Sequence, residues 1–124
     1  DFCVISLSDN LKPREVVHRR LAAAAGAGLV IALYNPRSKA RPDQLGAAFA
    51  LLRTILPGTV PVAFARAIGR ADERVILTDI AHADPEQVDM STLVLIGCPL
   101  THVITRTNGE QWLYTSRSVA APCA

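Results

Sequence analysis

Two stretches with helical periodicity lie between three short apolar runs, and this alternation restricts the chain more than any other feature. "FCVISL" at 2–7, "LVIALY" at 29–34 and "VPVAFARA" at 60–67 have the length and residue types of strands. Between the first two, "PREVVHRRLAAAA" puts Val17, Leu21 and Ala24 on one helical face. Pro13 reads as its first helical position, and Glu15 with Arg19 makes an i,i+4 pair. After Pro42, Leu45, Ala48, Phe49, Leu52 and Leu56 recur as an amphipathic stripe. "GAG" at 26–28 and "PGT" at 57–59 end the two helices. Strands joined by helical crossovers should be parallel neighbours in part, which predicts a layered α/β domain.

Beyond residue 67 the pattern changes. "IGRADE" is too short for a crossover, so "RVILTDI" should return as a hairpin and make the sheet mixed. "HADPEQVDM" reads as a loop or one helical turn, "TLVLIG" as a fifth, buried strand, and "WLYT" as a weak strand after the turn signal "NGE". The expected fold is a mixed five-stranded, or slightly larger, sheet with flanking helices, in one domain over 1–124. Because the chain opens directly in a strand, without an initiator Met, it is expected to be a piece of a longer one.

Composition narrows the function. Half the residues are apolar and 19% are charged, which suits a packed core. A net charge of +2 excludes a general polyanion binder, so any basic function is local. Three Phe, two Tyr and one Trp are too few for a base-stacking surface, and no nucleic-acid partner is expected. Trp112 and Tyr114 alternate as on a strand and read as packing or edge residues. Arg, Asp or Pro interrupts every apolar run short of a span, so no membrane role and a cytoplasmic location are expected. Cys3, Cys98 and Cys123 have no metal-ligand spacing and read as buried thiols. Cys98 and His102 are four apart, but Pro99 between them disfavours a helical pair, and no metal is expected.

In α/β sheets ligands gather beyond the carboxyl ends of strands, and three such ends carry polar or small residues. "SLSDN" offers Ser8 and Asp9, either as substrate contacts or as a turn cluster satisfying nearby backbone donors. "LYNPRSKAR" brings Arg37, Lys39 and Arg41 just after the strand, either to grip carboxylates or phosphates or as solvated surface. Pro36 should bias Asn35 toward extended geometry. "ARAIGRADE" sets Gly69 between Arg66 and Arg70, serving the hairpin or a close ligand approach.

"DFCVISLSDNLKP", "ALYNPRSKARP", "GRADERV" and "DMSTLVLIG", in this order and spacing, resemble the C-terminal half of the tetrapyrrole methylase family, from Asp1 to about Arg117. The resemblance implies a two-lobed α/β methyltransferase of cobalamin biosynthesis, with S-adenosylmethionine in the cleft between lobes. Its main glycine-rich cofactor loop belongs to an N-terminal lobe outside this chain. It implies cofactor contacts, mainly through backbone, at Tyr34 and Asn35 and at Ala67 and Ile68. Its substrate is a precorrin tetrapyrrole bearing acetate and propionate groups, which makes Arg37 and Arg41, with Ser8 and Asp9, the expected substrate contacts. Asp9 is the one candidate for a base, the intact enzyme is expected to be a homodimer, and the single lobe is not expected to turn over. Members often have Trp where Arg14 stands, a Ser/Thr-rich turn where "CPLTH" stands, and Pro where Ser116 stands. The rival readings are methylation at another macrocycle position, and a non-catalytic nucleotide-binding or dimerisation module using "YNPRSKAR" for phosphate.

Overall fold

Side chains that alternate along the strands meet in rows, and the rows explain the architecture. In the computed structural model, which describes residues 1–120, Ile31 stands opposite Ile96 and Ile96 opposite Val62. Leu33, Val94 and Phe64 form the next row of the same face. The strands are β1 (Phe2–Ser6), β2 (Val30–Tyr34), β3 (Pro61–Arg66), β4 (Arg74–Asp79) and β5 (Thr92–Ile96), in the order β1-β2-β5-β3-β4. β1 and β2 are parallel neighbours; β5 runs antiparallel to both β2 and β3 and separates them. The expected parallel neighbours are therefore β1 and β2 alone. β3 shares their direction without touching them. The mixed sheet and the β3–β4 hairpin are as expected.

Helices α1 (Arg14–Gly26) and α2 (Gln44–Arg53) pack on these rows. Val17, Leu21, Ala24, Leu45, Ala48, Phe49 and Leu52 join the inward strand residues in one cluster, with the Phe49 and Phe64 rings stacked at 6.3 Å. Pro13 stands one place earlier than expected, as the cap of α1, with extended backbone at φ −58 and ψ 144. Its carbonyl accepts from the Val16 and Val17 N–H groups, so the first turn closes without a side-chain cap. Leu56 lies past the end of α2 yet is buried, completing the stripe.

The helices cover one face. The other carries the row Val4, Ala32, Leu95, Ala63 and Leu77, where Ala32 and Ala63 are buried and Val4 is exposed. β5 is thus not wholly buried, since Leu93 on this face is 38% exposed. "HADPEQVDM" contains one 3-10 turn, Pro85–Gln87, capped by the Asp84 carboxylate accepting from the Glu86 N–H.

A second, two-stranded sheet was not anticipated; only one of its strands was. "WLYT" is part of β7 (Gln111–Thr115), paired with β6 (Thr101–Thr105), a strand that "CPLTH" obscured. Gly109, at φ 83, turns the chain between them. Trp112 and Tyr114 are exposed, as edge residues, and the Arg106 guanidinium lies 5.0 Å over the Trp112 ring. Cys98 is buried and Cys3 half-buried, both free thiols; burial raises the Cys3 pKa. Cys123 lies outside the described residues. Among the described residues no helix is long and apolar enough to cross a membrane.

A polar site at the ends of the strands

β1, β2 and β3 run the same way, so their carboxyl ends share one edge of the sheet with the start of β5. Two non-glycine residues among those described have positive φ, and both stand on this edge: Asn35 at 50° and Ala67 at 48°. Such geometry is uncommon for residues with a Cβ, and it collects where a backbone is shaped for a ligand. It also corrects an expectation. Pro36 does not hold Asn35 extended, because Gln44 Nε2 donates to the Asn35 carbonyl at 2.8 Å and Asn35 Nδ2 donates to Ser6 Oγ at 3.3 Å. Asn also tolerates the left-handed region better than most residues.

The basic loop is not a row of bare charges. Arg37 donates to the Pro85 carbonyl at 3.1 Å and pairs with Glu86 at 3.0 Å. Arg41 pairs with Asp9, whose other oxygen lies 3.6 Å from Arg14 Nε. Lys39 is exposed and has no ion pair among the described residues. The structure therefore brings Asp9 and Arg41 together, ties Arg37 to the 3-10 turn, and sets Ser8 in a local turn. Ser8 Oγ accepts from the Asn10 N–H at 3.5 Å while Ser6 Oγ accepts from the Ser8 N–H at 3.3 Å. Sequence reasoning named Arg14 only as a departure from the family pattern and passed over Gln44, since a glutamine opening a helix carries no motif.

At the end of β3, Ala67 N–H donates to the Ser91 carbonyl at 3.0 Å, and Arg70 N–H donates to the Ala67 carbonyl. Gly69, at φ 82, completes the turn and its N–H donates to Glu73. The glycine thus serves the hairpin. Arg66 spans Asp72 at 2.9 Å and Asp89 at 2.8 Å, which raises the guanidinium pKa and holds both carboxyls below their ordinary values. Tyr34 and Ile68, which flank the two turns, are 46% and 55% exposed.

Two cavities open on this edge. One, of about 570 Å³, lies between Arg37, Ser38 and Lys39 and the segment Val88–Ser91. The other, of about 330 Å³, lies between Ser8, Asn35, Arg41 and Gln44. Met90 lines both. The edge thus offers apolar surface at Tyr34, Ile68 and Met90, shaped backbone at Asn35 and Ala67, and cations above them. A flat, partly apolar cofactor with hydrogen-bonding rims suits that surface, and a polycarboxylate suits the cations. Among the described residues no cluster of His, Cys, Asp or Glu is placed to hold a metal ion.

No family model matches the chain. It is 58% identical over 120 residues to the precorrin-3B C(17)-methyltransferase of a Sinorhizobium species, covering 97% of this chain and 47% of that protein. It is 44% identical over 103 residues to the probable cobalt-factor III C(17)-methyltransferase of Salmonella typhimurium, covering 83% of this chain and 43% of the relative. The crystal structure of the methyltransferase CobJ superposes with a TM-score of 0.85 at 40% identity, over 94% of this chain and 46% of that one. The X-ray structure of the cobalt precorrin-4 methyltransferase CbiF shares the fold, with a TM-score of 0.54 at 16% identity over 77% of this chain and 40% of that one. The chain spans about half the length of the curated relatives it matches. Fold and sequence agree: this chain belongs to the tetrapyrrole methylase family.

Proposed function

We propose that this chain is the C-terminal lobe of a two-lobed, S-adenosylmethionine-dependent precorrin-3B C17-methyltransferase of cobalamin biosynthesis. The observation that carries the reading is the pair of left-handed turns at Asn35 and Ala67, on the same edge of the sheet with the start of β5 between them, where the cofactor is expected. In this reading the adenosine lies against the backbone of Tyr34, Asn35, Ala67 and Ile68. The precorrin carboxylates meet Arg37 and Arg41, near Ser8 and Asp9, and the N-terminal lobe closes the cleft. The intact enzyme is a cytoplasmic homodimer.

Bound S-adenosylmethionine supplies an electrophilic methyl group on a sulfonium. This chain's part is to hold and orient. Backbone turns fix the adenosine, the arginine-bearing loop fixes the acidic rim of the macrocycle, and the closed cleft excludes water from the transfer. Asp9 carries no step here, because its two oxygens already face Arg14 and Arg41. A second reading rests on the Salmonella relative, whose name places the same C17 chemistry on cobalt-factor III. Turnover assays with metal-free and cobalt-bearing substrates separate the two.

Calorimetry on the two-lobed enzyme tests the reading. Arg37→Ala or Arg41→Ala should weaken precorrin binding by about 1–3 kcal/mol, the range for hydrogen bonds to charged groups. S-adenosylhomocysteine affinity should move much less. Loss of S-adenosylhomocysteine binding with the tetrapyrrole spared would assign the loop to the cofactor; no change in either would leave Arg37 and Arg41 as structural residues serving Pro85, Glu86 and Asp9. The 124-residue chain alone should not turn over a precorrin.

A further inference from the structure

Gln44 opens α2 and is only 6% exposed, one of three polar side chains buried among the described residues. Its Nε2 donates to the Asn35 carbonyl oxygen at 2.8 Å. The amide must face this way round, because a carbonyl can only accept. Oε1 is then turned inward, where it meets no donor among the described residues. A leucine of similar size would remove that unmet acceptor and leave the Asn35 carbonyl without its donor, so one unmet group replaces another and the glutamine gains no clear advantage in stability. Stability does not account for the glutamine.

What Gln44 does that leucine cannot is hold the Asn35 carbonyl. Asn35 has φ 50 and precedes Pro36, two conditions that rarely coincide in a residue with a Cβ. Its side chain gives one restraint, the 3.3 Å bond to Ser6 Oγ in β1. Gln44 gives the other, from the start of α2, and both residues line the smaller cavity. The turn is therefore clamped between β1 and α2.

We infer that Gln44 is a positioning residue for the cofactor: it locks Asn35 in the left-handed conformation and so shapes the backbone surface at the end of β2. The inference rests on the reading of Asn35 as a cofactor contact. Gln44 acts through Asn35 and touches no reacting atom.

The test combines Gln44→Leu, Gln44→Met and Gln44→Glu with Asn35→Gly. NMR of this chain reads the backbone conformation of residue 35 from its three-bond HN–Hα coupling and carbon shifts. Calorimetry of the two-lobed enzyme reads S-adenosylhomocysteine affinity. Gln44→Leu and Gln44→Met should leave the melting temperature close to the parent's, because losing the bond to the Asn35 carbonyl offsets the relief of the unmet Oε1, while residue 35 leaves the left-handed region. The S-adenosylhomocysteine dissociation constant should rise about tenfold, the equivalent of losing one hydrogen-bonded restraint. Gln44→Glu should do worse, because a carboxylate cannot donate to the carbonyl. In the Asn35→Gly background the same Gln44 substitutions should cost less than about threefold, since glycine takes positive φ unaided.

Residue 35 unchanged in all three variants overturns the inference. So does an equal loss of affinity in the Asn35→Gly background, because Gln44 would then act elsewhere. If residue 35 relaxes and affinity stays, the placement of the cofactor at Asn35 fails and takes this inference with it. That outcome leaves the clamp visible by NMR, which distinguishes it from the first. Should leucine or methionine prevent folding, Gln44→Glu keeps the polar volume and carries the same two readouts.

Discussion

The Arg37 guanidinium donates to the Pro85 carbonyl oxygen at 3.1 Å, across 48 residues of sequence. One strand-end loop is thereby buttressed by the 3-10 turn that leads into β5. The arginine side chain is 22% exposed and its second partner, the Glu86 carboxylate, 71%.

The two bonds should separate energetically. Arg37→Ala should lose about 1–3 kcal/mol in urea unfolding, because a charged donor leaves a part-buried carbonyl unmet. Glu86→Ala should lose less than about 1 kcal/mol, the range of an exposed ion pair. Equal losses would mean that the ion pair, and not the carbonyl bond, holds the loop.

Asp9 is expected to affect binding and not chemistry. With its carboxylate removed, Arg41 loses its partner beside the smaller cavity, and Arg14 keeps only Asp43, at 3.8 Å. Asp9→Ala in the two-lobed enzyme should change precorrin affinity severalfold while kcat stays within that range. A kcat loss of about 100-fold or more at unchanged affinity is the signature of a proton-transfer group, and would return Asp9 to the role of base.

The Arg66–Asp89 pair should make the corner at Ala67 acid-labile. Hydrogen bonding to Arg66, ahead of the contributions from Thr92 and Ser91, holds the Asp89 carboxyl below its ordinary value. A depressed folded pKa contributes stability above the unfolded value near 3.9, and that contribution fades as pH falls through the lower folded value. The Asp89 side-chain carbon followed by NMR should titrate with a midpoint below about 3.9. Asp89→Asn should abolish this share of the acid sensitivity. A midpoint at or above the ordinary value would contradict the pairing.

Gly97 is fixed by contact, not by turn geometry. A Cβ there would meet Thr101 side-chain atoms at 2.7–2.8 Å, and Thr101 Oγ1 is engaged by the Cys98 N–H at 2.8 Å. Gly97→Ala should cost about 1–3 kcal/mol, as overpacking does. Thr101→Ser in the same chain should recover part of that by removing Cγ2. An unchanged midpoint for Gly97→Ala would show that the junction yields freely.

Much of this fold was legible because burial is periodic. The stripe from Leu45 to Leu56 names its own face, the runs "LVIALY" and "VPVAFARA" mark strands, and the short "IGRADE" link favours a hairpin. The position of β5 between β2 and β3 was not legible, since an apolar run fixes a strand but not its neighbours. β6 was hidden because "THVIT" is mostly polar and exposed and is defined by its partner β7. At the site, "LYNPRSKAR" pointed to a loop that the structure sets at the carboxyl end of β2. Its charges looked available because their partners, Asp9, Pro85 and Glu86, lie far off in sequence. The left-handed Asn35 ran against the local bias of Pro36; a restraint from Gln44, nine residues on, outweighs it.

Because β5 is the central strand, the sheet has no middle until residues 92–96 leave the ribosome. Before then β1 with β2, and β3 with β4, are two separate ribbons, each with a bare inner edge of unpaired N–H and C=O groups. Such edges recruit other chains, and long-range closure is slow. The nascent protein should therefore be most vulnerable to aggregation and to chaperone capture late in its synthesis, between the emergence of Asp79 and that of Ile96.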